Sequence, residues 1–333
     1  MKKVLSLILA LAMVFALAAC GEKQPSNDGN TDGDKPPRGN VIMTFGTADT
    51  GGSMYPAGAA VSQVWTNNVE GVKCNTQTST GSFQNCQDVS TGEVDVAVAT
   101  SDVVLNAYNG TGKFADIGKL DNLRVIGAVY TSVLSGVALK SSGLTYIHDL
   151  LGKRVAVGPA ASATENATLA AFDVMGIDSS NTSLENLGLG DGADSVGDGI
   201  LDAAFGFAGL PIGGQLNLAA TKEIQVLDMT QEEIDKVLAG NAAYIQTKIP
   251  AGTYTGQDND ANTFGVKCLI IVTADMDADL VYDLCKAMNE HTEEMAAGNA
   301  LLKDMTDPSF LCTQMPIPLH DGAQKYYSEQ GLI

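Results

Sequence analysis

The sequence has few cationic residues and only three histidines among its 333 residues. Lysine and arginine number 19 against 39 aspartate and glutamate residues, so the formal net charge is −20 at pH 7. A surface this acidic repels nucleic-acid backbones and anionic lipid, so we expect no nucleic-acid partner. The acidic surface does not exclude binding of a small anion in a pocket, because a pocket has its own local electrostatic field.

Signature motifs of enzymes and metal sites are missing as well. The chain contains no GxSxG, HExxH, CxxC or GxxxxGK[ST] pattern. Its histidines, His148, His291 and His320, are far apart in sequence, and no pair of carboxylates stands out as an acid–base couple. We therefore predict that the protein is not an enzyme and holds neither a metal ion nor a cofactor.

One glycine-rich segment formally fits a nucleotide-binding pattern. Residues 188–193, GLGDGA, match GxGxxA, but the next strand begins near Ile200, too soon for the helix of a dinucleotide-binding unit. Asp191, Asp194 and Asp198 in the same region fit no EF-hand order. We interpret the segment as a solvated turn that starts a helix.

The chain has an odd number of cysteines beyond its N-terminal region: Cys74, Cys86, Cys268, Cys285 and Cys312. At least one thiol is therefore free or links two chains. We expect small buried thiols, since free cysteine is among the most buried residue types. A Cys74–Cys86 disulfide, from a strand to the next helix, stays open as an alternative.

The N-terminus reads as an export signal. Lys2 and Lys3 precede a short apolar run over residues 5–19, which ends in Leu-Ala-Ala before Cys20. This box resembles the bacterial lipoprotein signal, in which the cysteine is lipidated; an ordinary signal peptide with a chance cysteine is the alternative. We predict a signal peptide over 1–20, a flexible tether over 21–40, and an extracytoplasmic body anchored by a lipid on Cys20.

From residue 41 onward, short β-like runs alternate with helix-like stretches. Apolar residues make up 45% of the chain, enough for a substantial core, and the alternation predicts βαβ units with mostly parallel sheet. The runs LRVIGAVY and SGVALK are read as two separate strands, and residues 277–295 predict one long helix. Residues 131–263 read as an inserted second unit, so we predict lobe I at 41–130 plus 264–333 and lobe II at 131–263. Two crossover strands would then form a hinge beside a cleft.

Hydroxyl and glycine residues follow several of the predicted strands, where ligands of open α/β sheets bind. Free backbone N–H groups at helix starts attract anions, and glycines let the backbone approach a ligand. Each position read alone is also a plain helix cap. The candidate ligand-binding residues in lobe I are Thr50, Gly51, Gly52, Ser53, Tyr55, Thr78, Thr80, Gly81, Ser82, Thr100 and Ser101. Those in lobe II are Ser162, Thr164, Glu165, Phe207 and Pro211.

An anionic ligand would have to be held largely without arginine. The chain has three arginines: Arg38 lies in the tether, Arg154 opens a predicted buried strand, and Arg124 is poorly placed to reach the cleft. A bidentate arginine–carboxylate clamp is therefore not expected. Glu165 stays ambiguous, as a helix cap, as an acceptor for a ligand amine or as a solvated side chain.

An ordered set of segments resembles one family across residues 41–331. They are TGGSMYP, TSTGSFQN with TGEVDVAVATSD, AYNGTGKF, DLLGKRVAVGPAASATE, GILDAAFGFAGLP, LIIVTADMDADLVYDLCKAM and PIPLHDGAQKYYSEQG. Together they resemble the TAXI-type solute-binding proteins of tripartite ATP-independent periplasmic (TRAP) transporters. Three features depart from the family pattern. Residue 100 is threonine, where the family often has glutamine. Ala161 and Ala163 stand where the family often has two glycines, and a single aromatic residue, Tyr55, follows Gly51-Gly52.

The resemblance implies an α/β, two-lobed, type II periplasmic-binding-protein-like fold with a ligand cleft between the lobes. It also implies an extracytoplasmic receptor that captures a small polar, carboxylate-bearing solute, an amino acid such as glutamate or an organic acid. The expected partners are that solute, the transmembrane subunits of a TRAP-type transporter, and the membrane. The alternatives are the binding component of another transporter, a sensor, or a cell-surface enzyme.

Overall fold

The computed structural model describes residues 39–50 and 52–333. The predicted signal peptide, Cys20, nearly all of the predicted tether and Gly51 lie outside the described residues. The strands are β1 (Val41–Gly46), β2 (Val72–Gln77), β3 (Val96–Thr100), β4 (Leu123–Leu139), β5 (Arg154–Ala156), β6 (Ser183–Glu185), β7 (Ala203–Ala208), β8 (Ile224–Val226), β9 (Ile245–Ile249) and β10 (Ala261–Thr273).

The α-helices alternate with these strands and then close the chain. They are α1 (Met54–Asn68), α2 (Ser82–Thr91), α3 (Ser101–Asn109), α4 (Ala163–Val174), α5 (Leu189–Gly197), α6 (Gly213–Thr221), α7 (Gln231–Gly240), α8 (Ala278–Glu290), α9 (Thr292–Gly298), α10 (Pro308–Cys312) and α11 (Asp321–Glu329). A 3-10 segment, Ala300–Thr306, lies between α9 and α10. Among the described residues, no helix is long and apolar enough to cross a membrane.

The strands form one ten-stranded sheet in the order β2-β1-β3-β10-β4-β7-β5-β6, with β8 beside β4 and β9 beside β10. At one side β1 runs parallel to β2 and β3, and at the other β5 runs parallel to β6 and β7. Between these groups, β4 and β10 run antiparallel to each other. The sheet therefore consists of two parallel groups joined by two long antiparallel strands.

These two long strands belong to both halves of the molecule. In β10, residues 261–265 pair with β9, whereas residues 268–271 pair with β3. In β4, residues 133–138 pair with β7, after the first part of the strand has paired with β10. The predicted lobe boundaries at 130/131 and 263/264 fall inside these strands. We keep the names lobe I and lobe II for the residue ranges given above, whose limits remain a prediction.

Hydrophobic side chains cover both faces of the sheet in each lobe. In β3, Val96 and Val98 face one cluster with Phe45 and Trp65, while the alternate residues Ala97 and Ala99 face another. This period of two follows from the strand geometry, and a strand buried on both faces reads as the unbroken apolar run VAVA. In lobe II, β7 splits in the same way between two clusters.

Three sequence expectations about these elements were wrong. The sheet is not mostly parallel, because β4 and β10 make antiparallel pairs with β3, β7, β8 and β9. The runs LRVIGAVY and SGVALK, which we read separately, form the single strand β4. The helix predicted over 277–295 is interrupted at His291, where the Thr292 hydroxyl bonds to the Asn289 carbonyl and offers the backbone an alternative to the helix.

The five described cysteines are free and buried, as expected from the sequence, and Cys74 and Cys86 form no disulfide. Burial raises the pKa of the Cys74 thiol to about 11 and that of Cys268 to about 12, so both stay protonated and unreactive near neutral pH. Among the described residues, no group of three or more His, Cys, Asp or Glu side chains is arranged to hold a metal ion.

Candidate functional site

A cavity of about 750 Å³ lies between lobe I and lobe II, beyond the carboxyl ends of β1, β2, β5 and β7. Lobe I contributes Ala48, Asp49, Gly52, Ser53, Met54, Ser79, Thr80, Gly81, Ser82 and Tyr130 to its wall. Lobe II contributes Pro159, Ala160, Ser162, Ala163, Thr164, Gly188, Leu189, Gly190, Asp191, Phe207, Ala208, Gly213, Gly214 and Asn217. A volume of this size suits a small organic molecule.

Five helices begin at this cavity: α1 and α2 from lobe I, and α4, α5 and α6 from lobe II. Each has nine or more residues, and each places first-turn residues in the wall. The first backbone N–H groups of a helix have no partner inside the helix, and the helix dipole makes this end positive. The arrangement therefore directs N–H groups and partial positive charge from both lobes toward one space.

Side-chain caps are scarce among these helix starts. Within residues 52–333, no side chain caps α1, α2, α5 or α6. Of these five helices only α4 is capped, because the Ser162 hydroxyl accepts a hydrogen bond from the Glu165 N–H. Among the described helices that begin away from the cavity, α7, α8, α10 and α11 are capped by Thr230, Asp277, Asp307 and His320, whereas α3 and α9 have no side-chain cap. Uncapped starts are thus concentrated where a ligand anion can supply the missing acceptor.

The wall of lobe I depends on an unusual backbone conformation after β2. Gly81 has φ +115°, which favours glycine, and its N–H donates to the Ser79 hydroxyl, which itself donates to the Thr47 carbonyl. The Ser82 hydroxyl accepts from the Thr100 N–H at 3.0 Å. The turn is therefore held rigidly from behind, while the start of α2 faces the cavity.

The wall of lobe II joins the start of α4 to the end of β7. The Phe207 N–H donates to the Thr164 hydroxyl at 3.2 Å, and both side chains are buried. Gly158 has φ +98°, and a Cβ there would lie 2.5 Å from a Thr164 methyl group, so only glycine permits this approach. The aromatic Phe207 ring gives the cavity an apolar surface beside the polar helix starts.

The described wall contains no lysine, arginine or histidine, and its charged residues are Asp49 and Asp191. Arg154 instead pairs with Asp202 at 3.0 Å, and Arg124 donates to the carbonyls of Asp121 and Leu123. An anionic group bound here would therefore be held by backbone N–H groups and hydroxyls, without an arginine clamp.

The structure brings eight of the residues named from the sequence into this one wall: Gly52, Ser53, Thr80, Gly81, Ser82, Ser162, Thr164 and Phe207. They come from four separate chain segments. Their common location is compatible with ligand binding, and ligand contact by each remains a prediction.

The other named residues lie elsewhere, and Gly51 is outside the described residues. Thr50 and Thr78 line a separate, more open depression, and Tyr55 and Pro211 are not part of the cavity wall. Thr100 and Ser101 lie behind it. Glu165 accepts hydrogen bonds from Lys113, the Ala161 N–H and Asn186. Burial raises the pKa of Glu165, but these bonds outweigh it, so the net shift is downward and the side chain is ionised.

Sequence reasoning missed several wall residues. The segment 188–191, read as a solvated turn, does start α5, but it also lines the cavity. Tyr130 reaches the wall from the middle of β4, and Gly213, Gly214 and Asn217 come from α6. For Gly188–Gly190 the signal was the glycine pattern itself; for Tyr130 and Asn217 the sequence carries no local signal.

Several polar contacts join the two lobes around the cavity. The Gly209 N–H donates to the Ser53 hydroxyl at 3.1 Å on one side. On the other, Lys113 pairs with Glu165 at 2.6 Å, and Asn166 donates to Asp102 at 3.1 Å. The described structure is therefore an arrangement in which the lobes touch.

Several solved structures are similar to this chain in fold. PhnD1 from Prochlorococcus marinus (MIT 9301), in complex with methylphosphonate, matches with a TM-score of 0.54 at 10% identity over 88% of this chain and 99% of that chain. A Bordetella bronchiseptica RB50 protein matches with a TM-score of 0.50 at 12% identity over 87% and 98%. The alkanesulfonate-binding protein SsuA from Xanthomonas axonopodis pv. citri, bound to MOPS, gives 0.47 at 14% identity over 88% and 85%.

These similarities are similarities of fold. The predicted fold class is confirmed: the protein has the α/β, two-lobed architecture of periplasmic solute-binding proteins, with a cleft between the lobes. The sequence gives a finer result, because residues 45–331 match the model of the NMT1-like family. The match extends over most of the chain, and the protein belongs to the NMT1-like family.

Proposed function

We propose that the protein is an extracytoplasmic solute receptor that captures a small polar, carboxylate-bearing molecule in the interlobe cavity. The observation that carries the proposal is the convergence of five helix starts, four of them without a side-chain cap, on a space of ligand size. Backbone N–H groups at such ends bind carboxylate oxygens without needing a cationic side chain. An amino acid such as glutamate or an organic acid fits this chemistry.

The proposal includes delivery of the solute to a membrane transporter. The segments that resemble TAXI-type proteins, together with the lipoprotein-like N-terminus, support a receptor anchored through a lipid on Cys20 that hands its solute to the transmembrane subunits of a TRAP-type transporter. Lobe closure over the cavity would bury the solute and create the surface that the transporter recognises. Binding without turnover is part of the proposal, since the residues described in the wall include no nucleophile–base pair.

The test is a binding screen with matched ligand pairs. Thermal unfolding and calorimetry on the full chain compare each amino acid or organic acid with its amide, which has a similar shape but no carboxylate charge. We expect the acid to stabilise the protein by about 2.7 kcal/mol at a hundredfold excess over Kd, and the amide to give no such shift. Equal binding of acid and amide, or no binding by any acid, would refute the proposed ligand chemistry.

The transporter class is tested separately. Uptake by cells or vesicles that carry the receptor with its transmembrane subunits should follow an imposed ion gradient and continue when ATP is depleted. Uptake that instead stops when ATP is depleted would assign the receptor to an ATP-driven transporter.

A further inference from the structure

A fully buried carboxylate lies where the two lobes meet, outside the cavity. Asp102 is in the first turn of α3 in lobe I, and its exposed fraction is 0%. Its Oδ2 atom accepts a hydrogen bond from Asn166 Nδ2 at 3.1 Å and one from the Tyr244 hydroxyl at 3.4 Å. Both donors belong to lobe II, so separation of the lobes would break both of these hydrogen bonds.

No positive charge in the described surroundings compensates this carboxylate. The titratable groups that face it from neighbouring elements are Tyr244, Cys86 on α2 and Cys268 on β10. Burial raises the pKa of all three, so they are neutral near neutral pH. On α4, the charged side chain next to Asn166 is Glu165, which already pairs with Lys113.

The second carboxylate oxygen is unusual as well. Among the described residues, Asp102 Oδ1 is fully buried and has no hydrogen-bond partner. A buried ionised oxygen without a partner is costly, whereas a protonated carboxyl group loses most of that cost. Burial is also the main cause that raises the pKa of Asp102, and the hydrogen bonds to the carboxylate, from the Thr100 hydroxyl and the Val103 N–H in lobe I and from Asn166 and Tyr244 in lobe II, do not cancel the effect.

We propose that Asp102 is a proton-coupled latch: in the closed arrangement its carboxyl group is protonated and docks on Asn166 and Tyr244, and opening of the lobes releases that proton to solvent. In the open form the side chain is hydrated and ionised. Closure therefore takes up one proton, and acidic surroundings favour the closed form because each closed molecule binds more protons than each open one.

The latch rests on the solute-receptor function proposed above, but its test needs no solute. Spin labels on Lys73→Cys in lobe I and Lys222→Cys in lobe II, in the full chain with Cys20→Ser, report the distance between the lobes. Both lysines are exposed, and the five cysteines of the body are buried and do not react. Failure of the ligand screen and a flat pH response of this distance are thus separate results.

In the otherwise unaltered protein we expect the population with the short interlobe distance to grow as the pH falls. Asp102→Asn, which is neutral at every pH, should give a population that no longer depends on pH. Glu232→Gln removes a first-turn carboxylate that is 79% exposed, and it should titrate like the parent. A parent distance independent of pH, or an Asp102→Asn variant that titrates like the parent, would overturn the proposal.

A second variant keeps the test open if Asp102→Asn does not fold. Tyr244→Phe removes one of the two hydrogen bonds on which the protonated carboxyl group docks in the closed arrangement, so the closed form is weakened and the midpoint of closure should move to lower pH. A midpoint that stays in place or moves to higher pH would contradict the latch. Infrared spectra of the parent, at a pH where exposed carboxylates are ionised, should also contain a protonated-carboxyl band that Asp102→Asn lacks.

Discussion

The backbone N–H of Gly209 donates a hydrogen bond to the hydroxyl of Ser53 at 3.1 Å. Ser53 precedes α1 in lobe I and lines the cavity, whereas Gly209 follows β7 in lobe II. A Cβ on Gly209 would also lie 1.8 Å from Leu301 Cδ1, so the lobes can come this close at residue 209 because it has no side chain. A residue that we singled out from sequence as a ligand contact therefore also joins the lobes.

We expect Ser53→Ala to weaken solute binding by about fivefold, because one interlobe hydrogen bond is worth about 1 kcal/mol. The unfolding temperature should change little, since Ser53 is at the edge of the cavity and not in the core. Calorimetry with an acid identified in the screen measures the affinity. Ser142→Ala, which removes an exposed hydroxyl bonded to Leu139 within lobe II, is the control and should bind normally.

Gly81→Ala should reduce affinity and stability together. Residue 81 has φ +115°, a conformation that costs an L-residue about 1–3 kcal/mol, so the start of α2 would shift away from the cavity. Denaturant unfolding and calorimetry measure the two effects. In Gly240→Ala the new methyl group meets open space at the end of α7, so this control should be neutral or slightly stabilising. An unaltered affinity in Gly81→Ala would show that this turn does not shape the site.

Trp65→Ala should destabilise lobe I strongly. The indole is fully buried, stacks on Phe45 with 5.4 Å between ring centroids, and donates from Nε1 to the Leu284 carbonyl at 3.0 Å. Removal of a buried aromatic side chain costs about 3–5 kcal/mol, which denaturant unfolding measures. Leu151→Ala, at a residue 56% exposed, should stay within about 0.5 kcal/mol of the parent.

Asp102→Asn should raise the unfolding temperature relative to the parent, and the gap should widen as the pH rises. Burial raises the pKa of Asp102 above the unfolded-chain value of about 3.9. The folded chain then holds the proton more tightly, so this contribution to stability is complete below the unfolded pKa and is lost as the pH rises through the folded pKa. The asparagine variant has no such loss. A gap that is constant with pH, or that narrows toward high pH, would contradict the raised pKa.

The α/β architecture could be predicted from the sequence because it depends on patterns that act over a few neighbouring residues. The alternation of apolar β-like runs with helix-like stretches predicted the elements, since such a pattern acts within a few residues. The same local patterns predicted the α/β fold class, the hydroxyl-rich strand ends and the buried thiols. The lobe boundaries also predicted two crossover strands, but not that these are the long strands β4 and β10 or that they pair antiparallel, because strand pairing depends on residues far away in sequence.

The cavity was decided by the tertiary structure. Tyr130 and Asn217 reach one space only because β4 and α6 converge there, and nothing near them in sequence indicates it. Glu165, by contrast, had the chemistry of a ligand contact, but Lys113 from the other lobe occupies its carboxylate. The chemical groups of a side chain determine what it can bind, and the packing of distant segments determines which of those partners it contacts.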